Sequence, residues 1–261
     1  MRNGAEAVPD AARVIGRSST SAGSSNRGAD AERPQPSPRD GKFRYLDVMM
    51  ALNVTFLLVS DFTGARVIDM AGVGVSVTVL YFPLTYLIGD ILTEVYGYAK
   101  SRRVIWISML CSIIGSAVAG GQLSVPAAAF FTADPAYQRV FSPSFGISAA
   151  GLLAFFAGDI SNSYVLAKMK ILAKGGHLWA RFVSSTLVGE GVNTALFYGI
   201  ALRGALPQDQ LLRGILMGWA AKVLVEVVML PLTYVVVRFL KDTEHVDHYD
   251  YGTRFNPLLL R

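Results

Sequence analysis

One stretch, residues 81–103 (YFPLTYLIGDILTEVYGYAKSRR), constrains the fold more than any other part of the sequence. It is apolar for most of its length, contains Asp90 and Glu94, and ends in a cluster of Lys100, Arg102 and Arg103. At 3.6 residues per turn, one helical face carries Phe82, Tyr86, Asp90, Thr93, Glu94 and Gly97. Ionisable residues inside a membrane span are rare and indicate functional sites. If this helix crosses a bilayer, its polar face predicts a site inside a helix bundle.

The composition is that of a membrane protein. Of the 261 residues, 52% are hydrophobic and 16% are charged, against roughly 25% charged in soluble domains. The net charge of +5 does not indicate nucleic-acid binding, because Lys and Arg lie at the ends of apolar runs and form no basic face with interleaved aromatics. The single cysteine, Cys111, excludes an internal disulfide and a cysteine-based metal site.

The chain divides into three parts. Residues 1–42 are polar and rich in Ser, Gly and Pro, which predicts a disordered cytoplasmic tail. Residues 43–241 predict an all-α polytopic membrane domain, a bundle of six transmembrane helices each near the roughly 20 residues that a span needs. Residues 242–261 predict a cytoplasmic C-terminal tail. The six predicted spans are Tyr45–Thr63, Val73–Tyr98, Val104–Leu123, Phe145–Met169, Arg181–Leu202 and Leu212–Leu240.

Loop charges predict the orientation, because cytoplasmic loops carry an excess of Lys and Arg. One side has Lys42, Arg44, Lys100, Arg102, Arg103, Lys168, Lys170, Lys174, Arg181, Arg238 and Lys241, and the other has Arg66, Arg139, Arg203 and Arg213. Eleven against four places both termini in the cytoplasm of a multi-pass inner-membrane protein. The long third loop, Val125–Ser144, is then on the outer side. Asp134 followed by Pro135 predicts a short surface helix there, around Pro135–Val140.

Six ionisable residues fall within the predicted spans: Asp90, Glu94, Asp159, Glu190, Lys222 and Glu226. Each would cost about 3 kcal/mol facing lipid, so we expect them to face inward. Three of the spans repeat one pattern, a Gly-acid pair followed by polar residues three and four positions later: Gly89-Asp90 with Thr93-Glu94, Gly158-Asp159 with Asn162-Ser163, and Gly189-Glu190 with Asn193-Thr194. The glycines favour close helix packing.

Two interpretations of these charges remain open. A buried ion network would only fix the packing of the helices. Five acids against one lysine instead favour a cavity for protons or for a polar ligand rich in hydrogen-bond donors. Aromatic residues near the same faces could stack on a flat ring; they are Phe82, Tyr86, Phe155, Phe197 and Trp219.

With these residues in view, the chain resembles the bacterial queuosine precursor transporters, a six-helix group related to vitamin uptake transporters. The resemblance rests on FPLTYLIGDILTEVYGYAKSRRVIW (82–106), NSYVLAKMK (162–170), LWARFVSSTLVGEGVNTALF (178–197), AKVLVEVVMLPLTYVVV (221–237) and DYGTRFNP (250–257). It covers roughly residues 43–258. One departure is Asn193, where the family pattern usually has Asp, which puts proton coupling through that position in doubt.

The resemblance implies import of 7-deazaguanine bases such as preQ0 and preQ1 for tRNA queuosine salvage. A guanine-like ring presents adjacent N–H donors that one carboxylate can accept, and Glu94 or Glu190 is expected in that role, with Lys222 as a counter-ion. The expected substrate-binding residues are Phe82, Tyr86, Asp90, Thr93, Glu94, Asp159, Asn162, Glu190, Asn193, Trp219, Lys222 and Glu226. The expected partners are the deazapurine and the lipid bilayer, with no cofactor, metal, nucleic acid or catalytic residue. A homo-oligomer or an ATPase module stays open.

Three other functions remain open. A substrate-binding subunit of an energy-coupled vitamin importer would need an ATPase partner, because the sequence has no P-loop pattern. An intramembrane Mg-dependent transferase is suggested by Asp90-x-x-x-Glu94, which is similar to the carboxylate pairs of membrane prenyltransferases, although Mg²⁺ normally takes several carboxylates plus phosphate. A purely structural membrane subunit is the third. The tail has an apolar tip at Phe255 and 258–260, which docks on the cytoplasmic face or frays.

Overall fold

The fold is known from a computed structural model, which describes residues 43–64, 66–70, 72–141, 145–201, 203 and 208–259. The prediction of a disordered tail at residues 1–42 lies outside these residues. The helices of the described part are α1 (Leu46–Thr63), α2 (Pro83–Tyr96), α3 (Tyr98–Gly121), α4 (Asp134–Phe141), α5 (Phe145–Leu172), α6 (Leu178–Ala201) and α7 (Gln208–Glu244). Strands β1 (Val67–Met70) and β2 (Val73–Ser76) form an antiparallel hairpin. Short 3₁₀ turns cover Val77–Leu80 and Gln122–Ser124.

Four helices are long and apolar enough to cross a membrane, within Leu46–Thr63, Tyr98–Ser124, Ser148–Leu172 and Gln210–Glu244. The chain is therefore an α-helical multi-pass membrane protein, and the count of six spans stays a prediction. The helices α2 and α6 account for the difference between the six predicted spans and these four helices. The 14 residues of α2 extend only about 21 Å at 1.5 Å per residue, and α6 carries Arg181 and Glu190 within its 24 residues.

The predicted second span, Val73–Tyr98, is wrong as a single helix. Val73–Ser76 pairs with β1, and the helix starts only at Pro83. The alternation of valine with Gly and Ser suits a strand, and proline suits the first turn of a helix because its missing N–H has no intrahelical partner there. The all-α prediction therefore needs a small hairpin added between α1 and α2.

Gly97 separates α2 from α3. Its φ of 85° is in the region that glycine adopts without strain, and its N–H closes the end of α2 on the Thr93 carbonyl at 3.1 Å. The third helix therefore begins at Tyr98, six residues before the predicted Val104, and includes the basic cluster. The other predicted spans lie within a few residues of α1, α5, α6 and α7, and the predicted surface helix is confirmed as α4.

The short helix α2 lies at the centre of the bundle. It contacts α1, α3, α5 and α7, and all but one of its residues are buried. Leu87, Ile91 and Val95 form the middle of the main apolar core, together with Phe182 of α6 and Leu240 of α7. This packing holds the polar face of α2 against the other helices that carry acids.

Candidate functional site

Two glycines bring α5 and α6 into close contact. A Cβ on Gly158 would lie 3.0 Å from the Gly189 carbonyl oxygen and 2.8 Å from Asn193 Cβ. A Cβ on Gly189 would lie 3.0 Å from the Gly158 carbonyl oxygen and 2.6 Å from Asn162 Cβ. The Gly-acid repeat therefore has a physical reason, because the glycines set the spacing of the two helices at the level of the acids that follow them.

Gly158→Ala is expected to destabilise the bundle by about 1–3 kcal/mol, since the added methyl group would press on the Tyr86 hydroxyl, on Asn193 Cβ and on the Gly189 carbonyl oxygen. Gly199→Ala on α6 is the matched control, because nothing lies within 4 Å of a Cβ there. Alanine favours helix over glycine, so the control should be neutral or stabilising. Thermal unfolding of the detergent-purified proteins measures both, and equal unfolding temperatures for the two variants would contradict this account.

The central acidic cluster consists of Asp90, Asp159, Glu190 and Glu226, contributed by α2, α5, α6 and α7. Each of these residues is at most 4% exposed. Their one direct cationic partner among the described residues is Lys222, whose Nζ lies 2.9 Å from Glu190 Oε2. The prediction that these acids face the bundle interior is met by their burial.

Hydrogen bonds satisfy only part of this cluster. Asn162 Nδ2 donates to Asp90 Oδ1 at 2.7 Å, and Lys222 also donates to Asn193 Oδ1 at 2.9 Å. The Thr186 hydroxyl donates to Glu226. The Tyr86 hydroxyl lies beside the Asp159 carboxyl, and it donates to the Gly189 carbonyl at 3.3 Å.

Four buried oxygen atoms of these side chains accept no hydrogen bond from the described residues: Asp159 Oδ1, Asn162 Oδ1, Glu190 Oε1 and Glu226 Oε2. A buried polar atom without a partner costs about 1–3 kcal/mol. These acceptors therefore indicate a place where donors from a ligand, or protons, would be stabilised.

A groove between α6 and α7 adjoins the cluster. It is lined by Val183, Thr186, Val223, Glu226, Val227 and Leu230. Small-molecule pockets usually measure about 300–1,000 Å³, whereas this groove is too narrow to hold a small molecule. A ligand the size of a purine would therefore need these helices to move apart.

Glu94 belongs to a second group of charges, the inner ion cluster. Its carboxylate accepts from Arg181 at 2.6 and 3.2 Å, and from Lys241 at 2.7 Å. Lys170 lies 3.6 Å away and also contacts Asp247. Burial alone would raise the pKa of Asp247, but hydrogen bonds and charge from Lys170 and Lys241 hold it below its ordinary value. Both Glu94 oxygens are thus occupied by cations, which favours a structural role for this residue.

The inner ion cluster was missed because Arg181, Lys170 and Lys241 were interpreted only as loop charges that set the orientation. In the structure Arg181 and Lys170 are 1% exposed. Both residues stand in the motifs that carry the family resemblance, 162–170 and 178–197. The place of these two basic residues in the motifs was therefore the signal in the sequence that Glu94 has buried cationic partners.

The remaining predicted residues have ordinary local contacts. Thr93 donates to the Gly89 carbonyl one turn earlier at 2.8 Å, and the Trp219 indole N–H donates to the Leu187 carbonyl at 3.1 Å. The Phe82 ring centroid lies 4.8 Å from Lys222 Nζ, which suits a cation–π contact. Of the other aromatic candidates, Phe155 packs in an apolar cluster with Leu57 and Ile105.

The C-terminal tail (residues 245–259) docks on the end of the bundle where α2 meets α3. Asp250 accepts the Tyr98 N–H at 3.0 and 3.2 Å. Arg102 donates to the carbonyls of Arg254 and Asn256, each at 2.8 Å. Phe255 packs on Tyr98, as expected for an apolar anchor, but Leu258 is 68% exposed. Backbone carbonyls and Asp250 hold the tail more than an apolar tip does.

The docked tail is expected to be released at low pH. Burial would raise the pKa of Asp250, but hydrogen bonds from His248, Thr253 and the Tyr98 N–H hold it below its ordinary value. This contribution to stability is therefore complete above the ordinary Asp pKa of about 3.9, and it is lost as the pH falls through the lower value of the folded protein. Limited proteolysis of the tail between pH 7 and pH 3 measures the release.

Asp250→Asn should make the tail roughly tenfold more sensitive to protease at pH 7, because hydrogen bonds to a charged group contribute about 1.5–3 kcal/mol. Asp242→Asn, at a position where the side chain is 74% exposed, is the control and should change nothing. Equal cleavage of wild type and Asp250→Asn at pH 7 would show that Asp250 does not hold the tail.

Comparisons with known proteins identify the family to which the sequence is similar. The sequence model of the family described as "Putative vitamin uptake transporter" matches residues 76–236. A curated relative, the "Probable queuosine precursor transporter" of Bacillus subtilis (strain 168), is 23% identical over 180 residues, which is 69% of this chain and 79% of that protein. No solved structure was found to match the chain. The matched range includes the whole central acidic cluster and Glu94.

Proposed function

Because the chain belongs to the vitamin uptake transporter family, we propose that it imports queuosine precursors, 7-deazaguanine bases such as preQ0 and preQ1, for salvage into tRNA. The single observation that carries this proposal is the central acidic cluster, which buries between four helices several acceptor oxygens that no described residue satisfies. The name of the Bacillus subtilis relative agrees with it. The transporter needs no catalytic residue for this role.

The chemistry of the ligand suits these acceptors. The guanine-like edge of a 7-deazaguanine presents an N1–H and a 2-amino group side by side, and its ring carbonyl accepts. A carboxylate can accept from both donors at once. Each charge-assisted hydrogen bond of this kind contributes about 1.5–3 kcal/mol. The proposed site therefore selects flat bases with adjacent donors over other apolar solutes.

Glu190 is the proposed carboxylate for this edge. It is fully buried, its Oε1 accepts no hydrogen bond within the described residues, and Lys222 pairs with its other oxygen. Asp159 and Asn162 would complete the polar wall with their own unoccupied oxygens. Phe82, stacked against Lys222, and Tyr86 would cover the ring. Glu94 is left out of this site because cations already occupy it.

Transport further requires that the site open to each side in turn. The groove between α6 and α7 is the proposed route, since Glu226 lines it and separation of these helices would reach Glu190. A bundle of six spans with both termini in the cytoplasm of the inner membrane completes the proposal. The inner ion cluster and the basic residues Lys100, Arg102 and Arg103 would then lie at the cytoplasmic end.

Complementation tests the proposed function. A bacterial host without its own precursor transporter and without queuosine synthesis de novo is supplied with preQ0 or preQ1, and queuosine in its tRNA is measured with and without this gene. The gene should restore queuosine. A host without vitamin-importer ATPase modules also separates an independent transporter from a substrate-binding subunit, which would need them. Unchanged tRNA in hosts with and without such modules would contradict both.

A further inference from the structure

Asp90 of α2 and Glu226 of α7 form a pair of carboxyl groups within the central acidic cluster. Their side chains lie side by side and are 1% and 4% exposed. Among the described residues, each carboxyl group accepts a hydrogen bond from one neutral side chain. Asn162 donates to Asp90 at 2.7 Å, and Thr186 donates to Glu226. The second oxygen of Glu226 accepts no hydrogen bond from the described residues.

The cations near this pair are already bound to other acids. Lys222 lies 2.9 Å from Glu190, and Arg181 lies 2.6 Å from Glu94. Asp90 and Glu226 have no cation within 4 Å in the described part of the chain. Two adjacent carboxylates cannot both stay ionised in a buried site, and such pairs hold a proton between them. The groups that surround the pair are Tyr86 and Glu94 on α2, Asp159 on α5, Arg181 and Glu190 on α6, and Lys222 on α7.

We propose that the Asp90–Glu226 pair is a proton-binding site that couples ligand import to proton entry. This inference rests on the proposed import function. A proton fits the pair better than a metal ion does, because no group of three or more His, Cys, Asp or Glu side chains among the described residues is arranged to hold a metal. Two carboxyl groups that face each other need only one proton to become a hydrogen-bonded pair.

The geometry also gives a reason for coupling. Lys222 and Glu226 lie one turn apart on α7, so a movement of α7 away from α6 displaces both residues together. Such a movement would uncover Glu190 for the ligand. It would also part Glu226 from Asp90 and expose it to the groove that it lines. The proton and the ligand would therefore gain access to the site in the same step, and both would leave when the opposite side opens.

The test uses the full chain reconstituted in phosphatidylethanolamine and phosphatidylglycerol liposomes that contain a pH-sensitive dye. The probe is preQ0, which carries no charge. Adding preQ0 outside should acidify the lumen. With one proton per base, a gradient of one pH unit, acidic outside, should support up to about tenfold accumulation. Accumulation that is the same with and without the gradient, and no acidification on adding preQ0, would overturn the inference while leaving the import function intact.

Glu226→Gln and Asp90→Asn each remove one member of the pair. If one of the two variants does not fold, the other still provides the test. In either variant, whatever uptake remains should lose its dependence on the pH gradient. Asp134→Asn, on the exposed α4, is the control and should keep the dependence. A persistent dependence in both cluster variants would also overturn the inference. If the wild type takes up no preQ0 under any gradient, the proposed function fails first, and the inference fails with it.

Discussion

Replacing Glu94 by glutamine is expected to destabilise the protein more than any other single change of charge. Among the described residues, the substitution leaves Arg181 without an ion-pair partner, and it leaves Lys170 and Lys241 with Asp247. Removing one member of a buried ion pair costs about 3–5 kcal/mol, because the remaining charge is left uncompensated. For a domain of this size the unfolding temperature should fall by roughly 6–20 °C. Thermal unfolding in detergent, followed by size-exclusion chromatography, measures it.

A matched control lies on the same helix as Lys241. Arg238 and Asp242 form an ion pair at 3.8 Å, and their side chains are 87% and 74% exposed. Exposed pairs of this kind contribute about 0–1 kcal/mol, so Asp242→Asn should unfold at nearly the wild-type temperature. If Glu94→Gln were as stable as this control, the inner ion cluster would not hold the bundle together, and Glu94 would again be a candidate for the ligand site.

Replacing Glu190 by glutamine is expected to abolish most precursor uptake. Glutamine has nearly the same shape, but it cannot accept two hydrogen bonds from adjacent N–H donors. Losing one charge-assisted hydrogen bond costs about 1.5–3 kcal/mol, which corresponds to about tenfold to a hundredfold weaker binding. Uptake of labelled preQ0 into liposomes that contain equal amounts of folded protein measures this loss.

The neighbouring lysine must be controlled, because Glu190→Gln leaves the partly buried Lys222 without its acid. The double variant Glu190→Gln with Lys222→Met restores neutrality, so its stability should recover while uptake stays low. Glu244→Gln is the matched change at the far end of α7, where Glu244 binds Tyr96 at 2.8 Å, and uptake should survive it. Recovery of uptake in the double variant would mean that Glu190 serves only to balance Lys222.

The apolar lengths and the charges inside them predicted much of the fold. The segments that became α1, α5, α6 and α7 are evident as runs near 20 residues, and Asp134-Pro135 predicted α4. The hairpin before α2 was missed because the valines of 73–80 count as apolar in any length-based prediction. The break at Gly97 was missed because the helical pattern continues through it, and only the backbone reveals a φ of 85°.

The site was predictable only where the sequence pattern is local. The Gly-acid repeat placed Asp90, Asp159 and Glu190 on inward faces, because spacing along one helix determines which side chains share a face. It did not distinguish Glu94 from the others, because its partner Arg181 lies 87 positions away. Contacts between distant segments follow from packing, and spacing within a helix carries no information about them.

The central claim is that Glu190 accepts the donor edge of a flat base. The most direct measurement is a cycle of binding constants for preQ0 and for its analogue without the 2-amino group, on the wild type and on Glu190→Gln with Lys222→Met. We predict that loss of the amino group weakens wild-type binding by about tenfold to a hundredfold and changes binding to the double variant little. The same fractional loss in both proteins, or no loss in either, would contradict it.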